Sequence, residues 1–105
     1  MAQGTLNSEN YDTADSGSDA VVTLAAVADR KHSLRGVSWS YAGDPTDGML
    51  IIEDGATTVF EMPVTSGGPG QFLFPWSEKG SDNTALIVTL ADGGVSKSLY
   101  VHIAP

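Results

Sequence analysis

At 105 residues with a net charge of −8, the chain is long enough for one modest core and too acidic to attract a phosphate backbone, which argues against a second domain and against nucleic acid as a ligand. It contains no cysteine, which removes disulfides, thiolate nucleophiles and cysteine-ligated zinc. No apolar run approaches the eighteen or so residues that cross a bilayer, and the first residues lack the basic start and apolar core of a secretion signal, so neither a membrane partner nor a leader is expected.

Residues 1–19 (MAQGTLNSENYDTADSGSD) are polar, carry four acids and no Lys or Arg, and hold only Leu6 and Tyr11 as sizeable apolar groups. Such a segment cannot build a core. Extended, it reaches roughly 60 Å at about 3.3 Å per residue, and it is expected to be an arm, either free or docked on a neighbouring subunit through Leu6 and Tyr11. The folded domain is then expected over residues 20–105.

Ala20 to Ala28 is apolar throughout. Ala and Leu favour helix, but Val21, Val22, Thr23 and Val27 are β-branched and the polar positions lack helical spacing, so the run predicts a strand. Arg30, Lys31 and Arg35 follow within six residues, around His32. They read as solvated surface or as a charge-complementary contact between neighbouring subunits.

Ser33 to Ala42 alternates cleanly, with Val37, Trp39 and Tyr41 on one face and Ser38, Ser40 and Ala42 on the other, so Trp39 is expected in the core. Gly43-Asp44-Pro45 breaks the strand. Met49 to Met62 then reads as a hairpin around Asp54-Gly55, in the type I′ turn that needs positive φ at both central residues. Pairing across that turn places Met49, Ile51, Thr58 and Phe60 on one face and Leu50, Ile52, Thr57 and Val59 on the other.

Ser66 to Gly70 (SGGPG) is a turn cluster leading into a short strand, Gln71 to Phe74, which Pro75 ends. Trp76 lies in a polar loop, PWSEKGSDN, where it can plug the end of the fold, anchor a partner or offer a platform to a sugar ring. Asn83 to Ala91 and Val95 to Ile103 predict a second hairpin around Asp92-Gly93-Gly94. In its last strand Val95, Leu99, Val101 and Ile103 share one face. About seven close-spaced strands without a helix predict an all-β, single-domain antiparallel β-sandwich or jelly roll rather than a βαβ fold.

Several strands are apolar on both faces, as in Leu86, Val88 and Leu90 opposite Ala85 and Ile87. A lone sandwich should show one polar face per strand, and no helical layer is available to cover the second, so a homo-oligomer is expected.

The chain offers little for catalysis. His32 and His102 lie on different strands, and neither sits in a nucleophile elbow or a metal-binding repeat. Paired carboxylates need a substrate cleft that a sandwich of this size can hardly enclose. Asp44 with Asp47, and Asp82 with Asn83, lack EF-hand spacing and read as turn residues that satisfy local backbone donors. No enzyme activity, metal or cofactor is expected.

The run LRGVSWSYAGDPTDGMLIIEDGATTVFEMPVTSGGPGQFLFP, followed by NTALIVTLADGGVSKSLYVHI, covers residues 34–103 with a short gap. In the order of its pieces (VSWSY, the EDG hairpin, GGPG before an aromatic strand, LADGG) it resembles small all-β structural proteins of tailed bacteriophages, most of all capsid decoration or cement proteins. That resemblance implies a trimeric sandwich on the virion exterior, made in the host cytoplasm, that bridges subunits of the major capsid protein. The residues open to such contacts are Leu6, Tyr11, Arg30, Lys31, Arg35, Leu50, Ile52, Val59 and Trp76. Two alternatives stand beside it. One is a carbohydrate-binding β-sandwich module that stacks sugars on Trp76, Tyr41 or Tyr100; the other is a tail, collar or head-fibre component.

Overall fold

The computed structural model describes residues 10–26, 28, 33–79 and 83–103. Eight strands run in the order β1 (Tyr11–Ala14), β2 (Ala20–Leu24), β3 (Ser33–Tyr41), β4 (Gly48–Asp54), β5 (Thr57–Val64), β6 (Gly68–Lys79), β7 (Leu86–Leu90) and β8 (Lys97–Ile103). They form two four-stranded antiparallel sheets, ordered β1-β8-β3-β6 and β2-β7-β4-β5. The fold is the expected all-β sandwich. Every connection but β4–β5 crosses from one sheet to the other.

Alternation builds the core. Burial follows a strict period of two in β2 and β7, so Val22, Leu86, Val88 and Leu90 of one sheet meet Val37, Trp39, Leu99 and Val101 of the other. Phe60 and Phe72 stack at 5.1 Å between ring centroids and close the sandwich between edge strands β5 and β6. Tyr41 is buried at 1% exposure, and its hydroxyl donates to the Ala91 carbonyl at 2.5 Å. It cannot serve as a sugar platform. Burial raises its phenolic pKa, and the fold keeps it neutral.

Gly70 of β6 pairs with Trp39 of β3, and the indole lies across the space a Cβ would occupy, well inside van der Waals contact. Gly70→Ala is therefore expected to lower stability by about 1–3 kcal/mol through overpacking, seen as a lower urea midpoint at unchanged m-value.

Four expectations are corrected. First, residues 11–14 form β1, in register with Lys97 to Tyr100 of β8, so the sandwich begins well before residue 20; residues 1–9, with Leu6, lie outside the described residues. The acids of this segment suit the fold because they take up backbone donors: Asp12 accepts from the Val21 amide at 2.8 Å and Asp19 from the Asp92 amide at 2.9 Å.

Second, the β4–β5 turn is centred on Gly55-Ala56, since Asp54 pairs with Thr57. Only Gly55 of the two has positive φ, at 64°, which excludes type I′ and puts glycine where a type II′ turn carries it. A register shift between Ile52 and Glu53 then pairs Ile52 with Phe60. The result is a face of Leu50, Ile52, Phe60 and Met62 turned inward. Leu50 (0% exposed) and Ile52 (2%) are core residues, closed to any partner.

Third, Asp92-Gly93-Gly94 does not join a hairpin. β7 pairs with β2 and β4, whereas β8 pairs with β1 and β3, so the loop carries the chain between sheets, with Gly93 and Gly94 both at positive φ. Fourth, β6 continues through Pro75 to Lys79, an edge strand where a missing amide is tolerated. The backbone at Trp76 is strand rather than loop, and its side chain lies outside the described residues. Arg30, Lys31, His32 and Asp82 also lie outside them.

A candidate binding face on the first sheet

The side chains that point away from the core on β1, β8, β3 and β6 form a face unlike the rest of the molecule. Register places them in rows. Tyr11 stands beside Tyr100, Tyr100 beside Ser38, and Ser38 beside Gln71. One row over, Thr13, Ser98, Ser40 and Pro69 line up in the same way, and on the other side His102 and Leu73 flank Gly36. At roughly 4.8 Å per strand the first row spans about 14 Å.

The aromatic end is tied together and open. Tyr11 is 50% exposed and its ring centroid lies 6.5 Å from that of Tyr100. Tyr100 in turn meets the edge of His102 at 4.8 Å. The polar end is a linked set: Ser38 Oγ lies 2.6 Å from His102 Nε2, and Gln71 Nε2 donates to Ser38 Oγ at 3.4 Å. The direction of the Ser38–His102 bond follows the imidazole tautomer: with Nε2 as acceptor, the Ser38 hydroxyl donates to it and Nδ1 carries the ring proton. Beside this set an open depression of about 360 Å³ is lined by Ser38, Trp39, Pro69, Gly70 and Gln71.

Partial burial holds the His102 pKa below the ordinary imidazole value. A group whose pKa is lowered by folding stabilises the fold fully above its unfolded value and loses that contribution as pH falls through the folded value. Melting temperature is thus expected to drop on acidification below about pH 6.5, and His102→Gln to flatten that first decline. The Asp92 carboxyl is also held below its usual range, first by the Gly17 amide, which outweighs the opposing effect of desolvation, and further by Gly94 and Lys97. Its contribution is lost later, in the carboxylate range.

A serine against a histidine invites comparison with a nucleophile and its base. Nucleophilic catalysis also needs a group to orient the imidazole and donors for an oxyanion. Among the described side chains this face carries no carboxylate, and β3, lying between β8 and β6, commits its backbone amides to the ladders. The set is equipped to hold hydroxyl groups by donating and accepting, next to rings that accept the apolar face of a ligand.

The expected contact residues are scattered. Tyr11 joins this face and Arg35 is exposed near its His102 end. Val59, 56% exposed, lies on the opposite sheet. That sheet's outer side interleaves Val21, Met49, Ile51 and Ile87 with Thr23, Thr89, Glu53 and Glu61, so the second apolar faces expected of β2, β4 and β7 are real but broken by hydroxyls and acids. No local pattern in the sequence groups Ser38, Gln71 and His102. The sequence signal was present in the small polar residues alternating in VSWSY and SLYVHI, but their adjacency depends on long-range pairing.

Comparisons bear on the fold. No protein-family model matches the chain, and no curated protein matches it in sequence. Among solved structures it is similar to PirA, with a TM-score of 0.53 at 14% identity, over 88% of this chain and 91% of that one. It is also similar to two fucose-binding module structures from Streptococcus pneumoniae. One superposes with a TM-score of 0.52 at 18% identity, over 90% of this chain and 69% of that one. The other, SpX-3, gives 0.51 at 15% identity, over 90% and 73%. At these identities the shared feature is the β-sandwich.

Proposed function

We propose that the protein is a saccharide-binding β-sandwich module without catalytic activity, and that it binds through the outer face of β1, β8, β3 and β6. The row Tyr11, Tyr100, Ser38 and Gln71, completed by His102, carries this reading. A sugar ring offers an apolar C–H face and a rim of hydroxyls, which are the two surfaces that adjacent aromatic and hydrogen-bonding side chains take up. The likeness in fold to fucose-binding modules supports it. Glycan-array binding by the purified chain, lost on Tyr100→Ala, is the expected result; an array with no bound glycan would refute the reading.

A second reading draws on the other sheet. The outer side of β2, β7, β4 and β5 bears Val21, Met49, Ile51, Ile87 and Val59, apolar groups that suit a protein contact. A capsid-decorating role, with a homotrimer seated on the major capsid protein of a tailed phage and many weak contacts adding up, fits that side and the resemblance of residues 34–103. Binding to purified mature capsids with a rise in their heat resistance is its expected outcome. A monomer by light scattering that fails to sediment with particles contradicts it.

A further inference from the structure

Granted that saccharide-binding reading, we infer that the ligand is an uncharged saccharide laid across the strands, with its terminal residue seated in the depression between Ser38, Trp39 and Gln71, and that acidic glycans are rejected.

The distribution of charge carries the first part. The chain has 13 Asp and Glu residues, yet among the described side chains none projects from this face. Of the acids whose side chains are described, those outside the loops lie on the inward side of β1 at Asp12 and on the opposite sheet at Glu53, Asp54 and Glu61; the side chain of Glu78, on β6, lies outside the described residues. Tyr11, Thr13, Ser38, Ser40, Pro69, Gln71, Leu73, Ser98, Tyr100 and His102 remain, with Arg35 as the face's one charge among the described side chains; the Lys79 side chain, at the end of β6, lies outside them. A site for uronate or sulfate groups needs several fixed cations or fork-shaped donors. Among the described side chains a ligand of that kind meets one cation, at the periphery, and the repulsion of a chain with net charge −8, which selects against it.

The depression carries the second part. Trp39 is 9% exposed, and its indole N–H has no acceptor among the described residues. No fully buried side-chain polar atom there lacks a partner, so this donor reaches solvent, and the indole lines the depression with Ser38 and Gln71. Gly70 lets the indole lie against the β6 backbone at the depression, since a side chain there would occupy the ring's place. An indole N–H, a hydroxyl and a carboxamide give donors and an acceptor in one small volume, the set that several hydroxyls of one sugar residue satisfy together.

Calorimetric titration of the full chain tests this with neutral xylo-, cello-, manno- and fuco-oligosaccharides against oligogalacturonate and heparin oligosaccharides, at low and high salt. The expected result is binding of one or more neutral probes, with affinity constant within about twofold across the salt range. Gln71→Ala should weaken it by about tenfold and Glu61→Gln, on the opposite sheet, should leave it unchanged. Binding of an acidic probe that high salt abolishes overturns the inference while leaving the module reading in place. Undiminished neutral binding by Gln71→Ala overturns the placement in the depression. Absence of binding to every probe removes both.

Discussion

Replacing Lys97 with methionine is expected to destabilise the protein by about 3 kcal/mol, the largest loss from any single polar side chain in the fold. Lys97 opens β8 on its inward side, and its side chain is wholly buried. Its ammonium group donates to the Ser18 carbonyl at 2.6 Å, the Asp15 carbonyl at 3.0 Å and Asp92 Oδ1 at 3.4 Å. The three acceptors come from the β1–β2 turn and the β7–β8 loop, so one cation ties the first two strands to the last. Around it Gly17 donates its amide to Asp92 Oδ1 at 2.7 Å and Ser16 its hydroxyl to the Gly94 carbonyl at 3.0 Å. Methionine keeps most of the volume and strands two carbonyls, each worth roughly 1–3 kcal/mol when left without a donor. Asp92→Asn should cost less, because Asp92 is 40% exposed and water can replace part of what it loses. Urea denaturation of the three proteins checks the order wild type, Asp92→Asn, Lys97→Met. Equal midpoints for wild type and Lys97→Met would show that the ammonium is not a structural tie.

The second large effect falls on binding. Tyr100→Ala is expected to weaken saccharide affinity by at least about tenfold, or 1.4 kcal/mol, while moving the urea midpoint little. Tyr100 sits between Tyr11 and Ser38 in the row and touches the edge of His102. Its removal takes away the stacking surface at the junction of the aromatic and polar ends. Tyr11→Ala, at the exposed end, should act in the same direction, and the double variant should lose less than the sum because the two rings meet one ligand. A structural residue shows the opposite profile, with stability lost and affinity kept in whatever remains folded.

Local chemistry made the fold class legible. β-Branched runs, a clean alternation from Val37 to Tyr41, and glycine-rich turns name strands whatever the tertiary context, and Trp39 could be placed in the core from its alternation alone. What local chemistry cannot carry is pairing. Asp92-Gly93-Gly94 has the composition of a hairpin turn, yet the flanking strands find better partners in other sheets, and the loop crosses the sandwich. One unpaired residue in β5 exchanged Phe60 between faces, because register has a period of two. Residues 11–14 are too polar to build a core of their own and fold as an edge strand on β8, and Lys97, more than 75 residues away in sequence, ties the turn that follows by donating to the Asp15 and Ser18 carbonyls. For the same reason the candidate face is half legible. Tyr11 and Tyr100 stood out as aromatics, whereas Ser38, Gln71 and His102 gain meaning only when β3, β6 and β8 are laid side by side.

Amide chemical-shift mapping during titration with a neutral oligosaccharide that binds tests the account most directly. The largest shifts are predicted at Tyr11, Ser38, Gln71, Tyr100 and His102, together with the Trp39 indole N–H, and Val21, Ile51 and Ile87 on the opposite sheet should stay still. Shifts confined to that opposite sheet, or to the loops at the ends of the sandwich, would contradict the assignment of the binding face.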